Sequence, residues 1–147
     1  MRLCPSRRRT QKGVALIETA LSVLVVVFVM FWMWELIMAL YTYSVLSDAA
    51  KEGVRYAIVH GTGNSSCDGP STGCDSTAAN TVAKIRDYAG YSLHDISAIT
   101  ISVTYPDSSS AAGNRVKVAV SYLYVPYINL PWGVPTLKTG ATGRIVY

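Results

Sequence analysis

TALSVLVVVFVMFWMW, residues 19–34, carries no charge, and its reading decides the fold. With its apolar flanks, residues 14–17 and 36–40, it forms a stretch interrupted only by Glu18 and Glu35. About twenty apolar residues cross a bilayer core as a helix. Glu18 and Glu35 lie about 26 Å apart along such a helix, at the usual rise per residue. That is close to the ~30 Å thickness of the hydrocarbon, so each carboxylate falls near one interface. Trp32 and Trp34, beside Glu35, fit an aromatic belt. A buried core helix is the competing reading, but a chain of 147 residues offers too little around this segment to enclose it.

Upstream of the apolar run, Arg2, Arg7, Arg8, Arg9 and Lys12 supply five of the thirteen cations, and no acid precedes Glu18. The remaining eight cations face nine acids, so residues 14–147 sum to −1 and the formal +4 belongs to the N-terminal tag. That sum leaves no basic patch for nucleic acid. It also orients the chain, with its N-terminus in the cytoplasm and the remainder outside. A secretory signal peptide ends with a small-residue cleavage site after its apolar stretch. Here the small residue, Gly13, stands before that stretch, in G-VALIE, and an acid follows five positions later.

This pattern resembles the processing site of type IV prepilins and pseudopilins, where a membrane aspartic peptidase cuts after the glycine and leaves the apolar helix in place. The resemblance implies a cut between Gly13 and Val14, with Glu18 as the fifth residue of the mature chain. Such a cut creates an α-amino charge at the head of an apolar helix, which is costly if unpaired. Glu18 then neutralises the amine of its own or a neighbouring subunit. An interfacial acid favoured by the helix dipole is the alternative role.

Residues 34–59, WELIMALYTYSVLSDAAKEGVRYAIV, resemble the signature of the TadE-like family, pilin-like proteins of tight-adherence (Tad) pilus systems. Glu35, Tyr41, Ala49, Ala50, Glu52, Gly53, Arg55, Tyr56 and Ala57 match that signature in order. Thr19 stands where members often have phenylalanine, and an early proline in the membrane helix is absent. The resemblance implies other pilin-like subunits, a prepilin peptidase and the Tad assembly platform as partners, in a bacterial inner membrane. It implies neither cofactor nor small-molecule substrate.

From the residues alone, the helix continues beyond the bilayer to Gly61, with Leu36, Leu40, Tyr43, Ala50, Val54 and Ala57 on one stripe. Ala49, Gly53 and Ala57 place a small residue at every fourth position, which lets another helix or a sheet approach closely; a tolerated glycine near a fraying end is the plainer alternative. Residues 61–75 form a loop by composition. A second helix is expected over residues 77–89, with Ser76 as its cap, Ala78, Val82, Ile85 and Ala89 inward, and Gly90 as its stop. Three strands follow. Residues 99–105 and 116–124 alternate strictly, and a weaker third runs over residues 137–147, in an antiparallel sheet. The expected fold is therefore α+β and pilin-like: a basic leader (1–13), a long transmembrane helix (14–60), and an extracytoplasmic domain (61–147). The loop 125–135 offers Tyr127, Ile128 and Trp132 for a partner or the membrane surface, or packs back on its own sheet.

Cys67 and Cys74 bracket CDGPSTGC and pair as a disulfide if that region faces an oxidising compartment; two unpaired thiols are the alternative. With His60 and His94 far off in sequence they make no zinc pattern, so no metal is expected. No nucleophile elbow, P-loop, metalloprotease or dinucleotide motif occurs, and His94–Asp95 has no nucleophile beside it; the reading is not an enzyme. The function expected is a minor pilin or pseudopilin, because the outer domain exceeds what a major pilin of this type carries. The alternative is an uncleaved, signal-anchored binding or sensing module.

Overall fold

The computed structural model describes residues 8–128 and 135–146, with side chains from Gly13 onward. The chain is α+β: a long helix α1 (Arg8–Val59), a helix α2 (Ala79–Gly90), a 3-10 turn (Ile96–Ala98), and strands β1 (Ile99–Thr104), β2 (Arg115–Leu123) and β3 (Thr136–Arg144). It divides into two compact units, with the boundary between Ile37 and Met38 inside α1.

In the first unit, every side chain over residues 13–34 is exposed, including Val14, Leu24, Phe28 and Met30. The helix is apolar on all sides and is long enough to cross a membrane. Its few hydroxyls are internally satisfied. Thr19 Oγ1 donates to the Ala15 carbonyl (2.8 Å), and Ser22 Oγ donates to the Glu18 carbonyl (2.9 Å). Such back-bonding keeps a polar group tolerable in hydrocarbon.

The second unit holds the core. Its sheet has the order β1-β2-β3, antiparallel throughout, with Ile101 opposite Val120 and Val118 opposite Ala141. Alternation sends Val116, Val118, Val120 and Tyr122 inward and the polar residues of β2 outward. Leu46, Ala49, Ala50, Val54 and Ala57 of α1, with Ile85 and Ala89 of α2, complete the apolar cluster.

The expected stripe on α1 is correct only in its later part. Leu36, Leu40 and Tyr43 are exposed, while Thr42 and Leu46 are buried. Residues 36–43 are apolar around nearly the whole circumference, so their periodicity could not say which side faces the core. The second helix starts two residues later than expected, at Ala79, and Ser76 does not cap it. Asp75 takes that role instead, because its carboxylate accepts from the Ala79 and Thr77 N–H groups (3.1 and 2.9 Å) and the Thr77 hydroxyl (2.7 Å). Ala78 is left at φ 50°, in the left-handed region. β1 stops before Tyr105, and β3 stops at Arg144, where the chain leaves the sheet and Ile145 turns into the core. Trp132 lies outside the described residues.

Candidate functional site

Three groups of residues bear on function. The first is the helix head. Gly13, Val14 and Glu18 lie within α1, all exposed. A Cβ built on Gly13 meets nothing within 4 Å. Among the described residues no neighbour therefore asks for glycine, although glycine inside a helix costs about 1 kcal/mol relative to alanine. Glu35 lies further along the same helix, shortly before the second unit begins.

The second group is the small-residue face of α1. Ala49, Gly53 and Ala57 are all buried. A Cβ on Gly53 would stand 2.4 Å from Ile85 Cγ1 and 2.5 Å from its Cδ1. That overlap shows α2 seated directly against the backbone of α1. Gly143 of β3 is similarly close, with Val54 Cγ1 2.6 Å and Ile58 Cγ2 2.9 Å from where its Cβ would be. Around this face Glu52 and Arg55 form an exposed ion pair of 3.8 Å. Tyr56 stacks on His60 with ring centroids 3.8 Å apart, and the Tyr56 carbonyl lies 2.8 Å from His60 Nδ1. Burial pushes the Tyr56 phenol upward, and Asp68 adds to the effect.

The third group is the cystine loop. Cys67 and Cys74 are bonded, with Cα atoms 4.8 Å apart. Each cysteine is followed by an aspartate, and the two aspartates form a parallel bridge. Asp68 is buried and accepts from the Thr81 N–H (2.7 Å), the Thr81 hydroxyl (2.6 Å) and Asn80 Nδ2 (3.0 Å). Asp75 serves the Ala79 N–H. The loop thus aims two carboxylates at the N-terminus of α2, where unpaired N–H groups and the helix dipole favour negative charge. The hydroxyl of Thr77, then the N–H groups of Thr77 and Ala79, hold Asp75 below the usual carboxylate range. The loop is seated on the turn after β1. Gly69 takes φ +128°, and a Cβ there would stand 2.6 Å from Ser110 Cβ. Tyr105 Oη is buried beside it with no hydrogen-bond partner among the described residues, and burial, then Asp68 and Asp75, push its phenol up to about 12. Sequence reasoning missed this pair of caps. The doubled Cys-Asp dipeptide was the visible signal.

An exposed apolar helix at the N-terminus and a small α+β unit built on that helix's second half define the class: a pilin-like membrane protein. Comparison with known families then gives the particular one. Residues 13–55 match the family model of TadE-like proteins, and over this segment the chain is similar to that family. No curated protein and no solved structure matches the chain.

Proposed function

We propose that the chain is a minor pilin or pseudopilin of a Tad-type pilus or secretion apparatus, cut by a prepilin peptidase between Gly13 and Val14. It sits in the bacterial inner membrane with its N-terminus cytoplasmic and acts in pilus assembly rather than in catalysis. The supporting observation is Gly13. A Cβ at this glycine would meet nothing within 4 Å among the described residues, so no contact there requires a glycine. A peptidase that accepts only a small residue at the cut supplies the reason. Glu18 then lies one helical turn from the new amine and pairs with it, or with the amine of an adjacent subunit, fixing the axial stagger between neighbours. The exposed apolar surface of residues 14–34 is the part that bundles with the helices of other pilin-like subunits on the assembly platform.

Replacing Gly13 by leucine tests the reading. The variant is expected to insert in the membrane normally and to keep its full mass, because the apolar run is untouched and only the cut is blocked. Maturation of Gly13→Leu at the wild-type rate would contradict it, and a wild-type chain that is never shortened would leave the signal-anchored module as the reading.

A further inference from the structure

The charge of the outer unit is not evenly spread. Strand alternation places Thr100, Ser102 and Thr104 of β1 on the open side of the sheet, away from both helices. On β2 the same side carries Arg115, Lys117, Ala119 and Ser121; on β3 it carries Thr136, Lys138, Gly140, Thr142 and Arg144. Four cations stand there, all exposed, and no strand residue on that side is acidic. The one acid at its border is Asp107, whose Oδ1 takes Arg115 Nη2 at 2.7 Å. Arg115 is directly opposite Arg144 in the sheet register. Like charges so placed oppose folding; Asp107 offsets this at Arg115, whereas Lys117, Lys138 and Arg144 make no ion pair among the described residues. Lys138 and Arg144 are six positions apart on β3, about 20 Å at the usual strand rise. Arg115, Arg144 and Lys117 thus cluster at one end of the face and Lys138 stands apart, with Thr142 and Ser121 directly beside the two lysines. The near-neutral total of residues 14–147 concealed this segregation, because the acids lie elsewhere in the fold.

We propose that the open sheet face is a docking surface for a linear, carboxylate-bearing polysaccharide. Cations spread along the face match anions carried along a linear chain, and the threonine and serine hydroxyls beside them match its sugar hydroxyls. Among the described residues, the open side of the three strands carries no aromatic side chain, so it lacks the stacking platform of a single-stranded nucleic-acid site and the anchors of a protein interface. Leu123 is the one large apolar side chain on that side of the described strands. This surface is independent of leader processing.

The test uses the full chain in non-ionic detergent, with Arg2, Arg7, Arg8, Arg9 and Lys12 replaced by glutamine so that the cations of the N-terminal tag do not contribute. Polygalacturonate, neutral dextran and duplex DNA are the probes. The parent is expected to bind polygalacturonate in a salt-sensitive manner and to ignore dextran. Lys117→Gln, Lys138→Gln and Arg144→Gln together weaken that binding at least tenfold, while Lys117→Arg with Lys138→Arg preserves it. Equal binding by parent and triple variant, no binding by the parent, or DNA held as tightly as polygalacturonate would overturn the proposal.

Discussion

The two units use glycine, and exposure, in opposite senses. Gly13 stands in open space, whereas Gly53, forty residues along the same helix, has no room for a single methyl group beside Ile85. In the first unit, exposed residues are apolar and await lipid or other helices. In the second, the strand residues turned away from the core are mostly polar, although Leu40, Tyr91 and Val125 are exposed as well. The same helix therefore answers to two solvents, and a residue's role is read correctly only after its solvent is known.

The sharpest way to break that contrast is to place one arginine in each unit. Val25→Arg puts a cation in the middle of the apolar run and should cost about 2.5–3.5 kcal/mol of insertion, read as loss from the membrane fraction. Ser102→Arg, on the open sheet face, should leave thermal melting unchanged. Equal tolerance of both would mean that the first unit does not sit in hydrocarbon.

Removing the cystine is next in size. In the chain-entropy picture, a loop closed by Cys67 and Cys74 contributes about 2.5 kcal/mol. Cys67→Ser with Cys74→Ser should lower the melting transition of the outer unit accordingly and leave insertion of α1 intact. Thiol titration before and after reduction gives an independent check: two reactive thiols in untreated protein would refute the bridge.

Gly53→Ala comes third. Alanine gains about 1 kcal/mol of helix propensity, but Ile85 is fully buried and must shift. Overpacking of this kind costs about 1–3 kcal/mol, so a net loss of about 1 kcal/mol is expected in thermal melting. Gly13→Ala should show no such loss, because its Cβ meets nothing. A stabilised Gly53→Ala variant would contradict the close approach of the two helices.

The smallest effect concerns pH. The Tyr105 phenol is pushed up to about 12 in the fold, from its ordinary value of 10.0. Its neutral form is favoured by folding, so the contribution is complete below pH 10 and declines as pH rises from 10 towards 12. Tyr56 and Tyr122 shift in the same direction. Phenolate absorbance should show delayed tyrosines in the folded protein, and Tyr105→Phe should remove the latest step.

Much of this architecture was legible in the residues. The uncharged run over residues 19–34 declared the membrane helix, and the alternation in Val116-Lys117-Val118-Ala119-Val120 declared both a strand and its buried side. Other features required three dimensions. The burial of Thr42 and Leu46 instead of Leu40 and Tyr43 was hidden because that part of α1 is apolar all round. The start of α2 was misplaced because its caps come from the cystine loop, and Asp68 reaches Thr81 from thirteen positions away. The cationic face was invisible because it arises from the pairing of β2 with β3, which places Arg115 opposite Arg144. At the helix head, the sequence supplied the processing pattern, and the structure added that a Cβ at Gly13 meets nothing within 4 Å among the described residues.

The most direct measurement is the intact mass and N-terminal sequence of the protein extracted from the membrane of cells that carry the peptidase. A chain beginning at Val14, lacking the arginine-rich head but retaining the whole apolar helix, is the result predicted. A chain that still begins at Met1 would contradict the account.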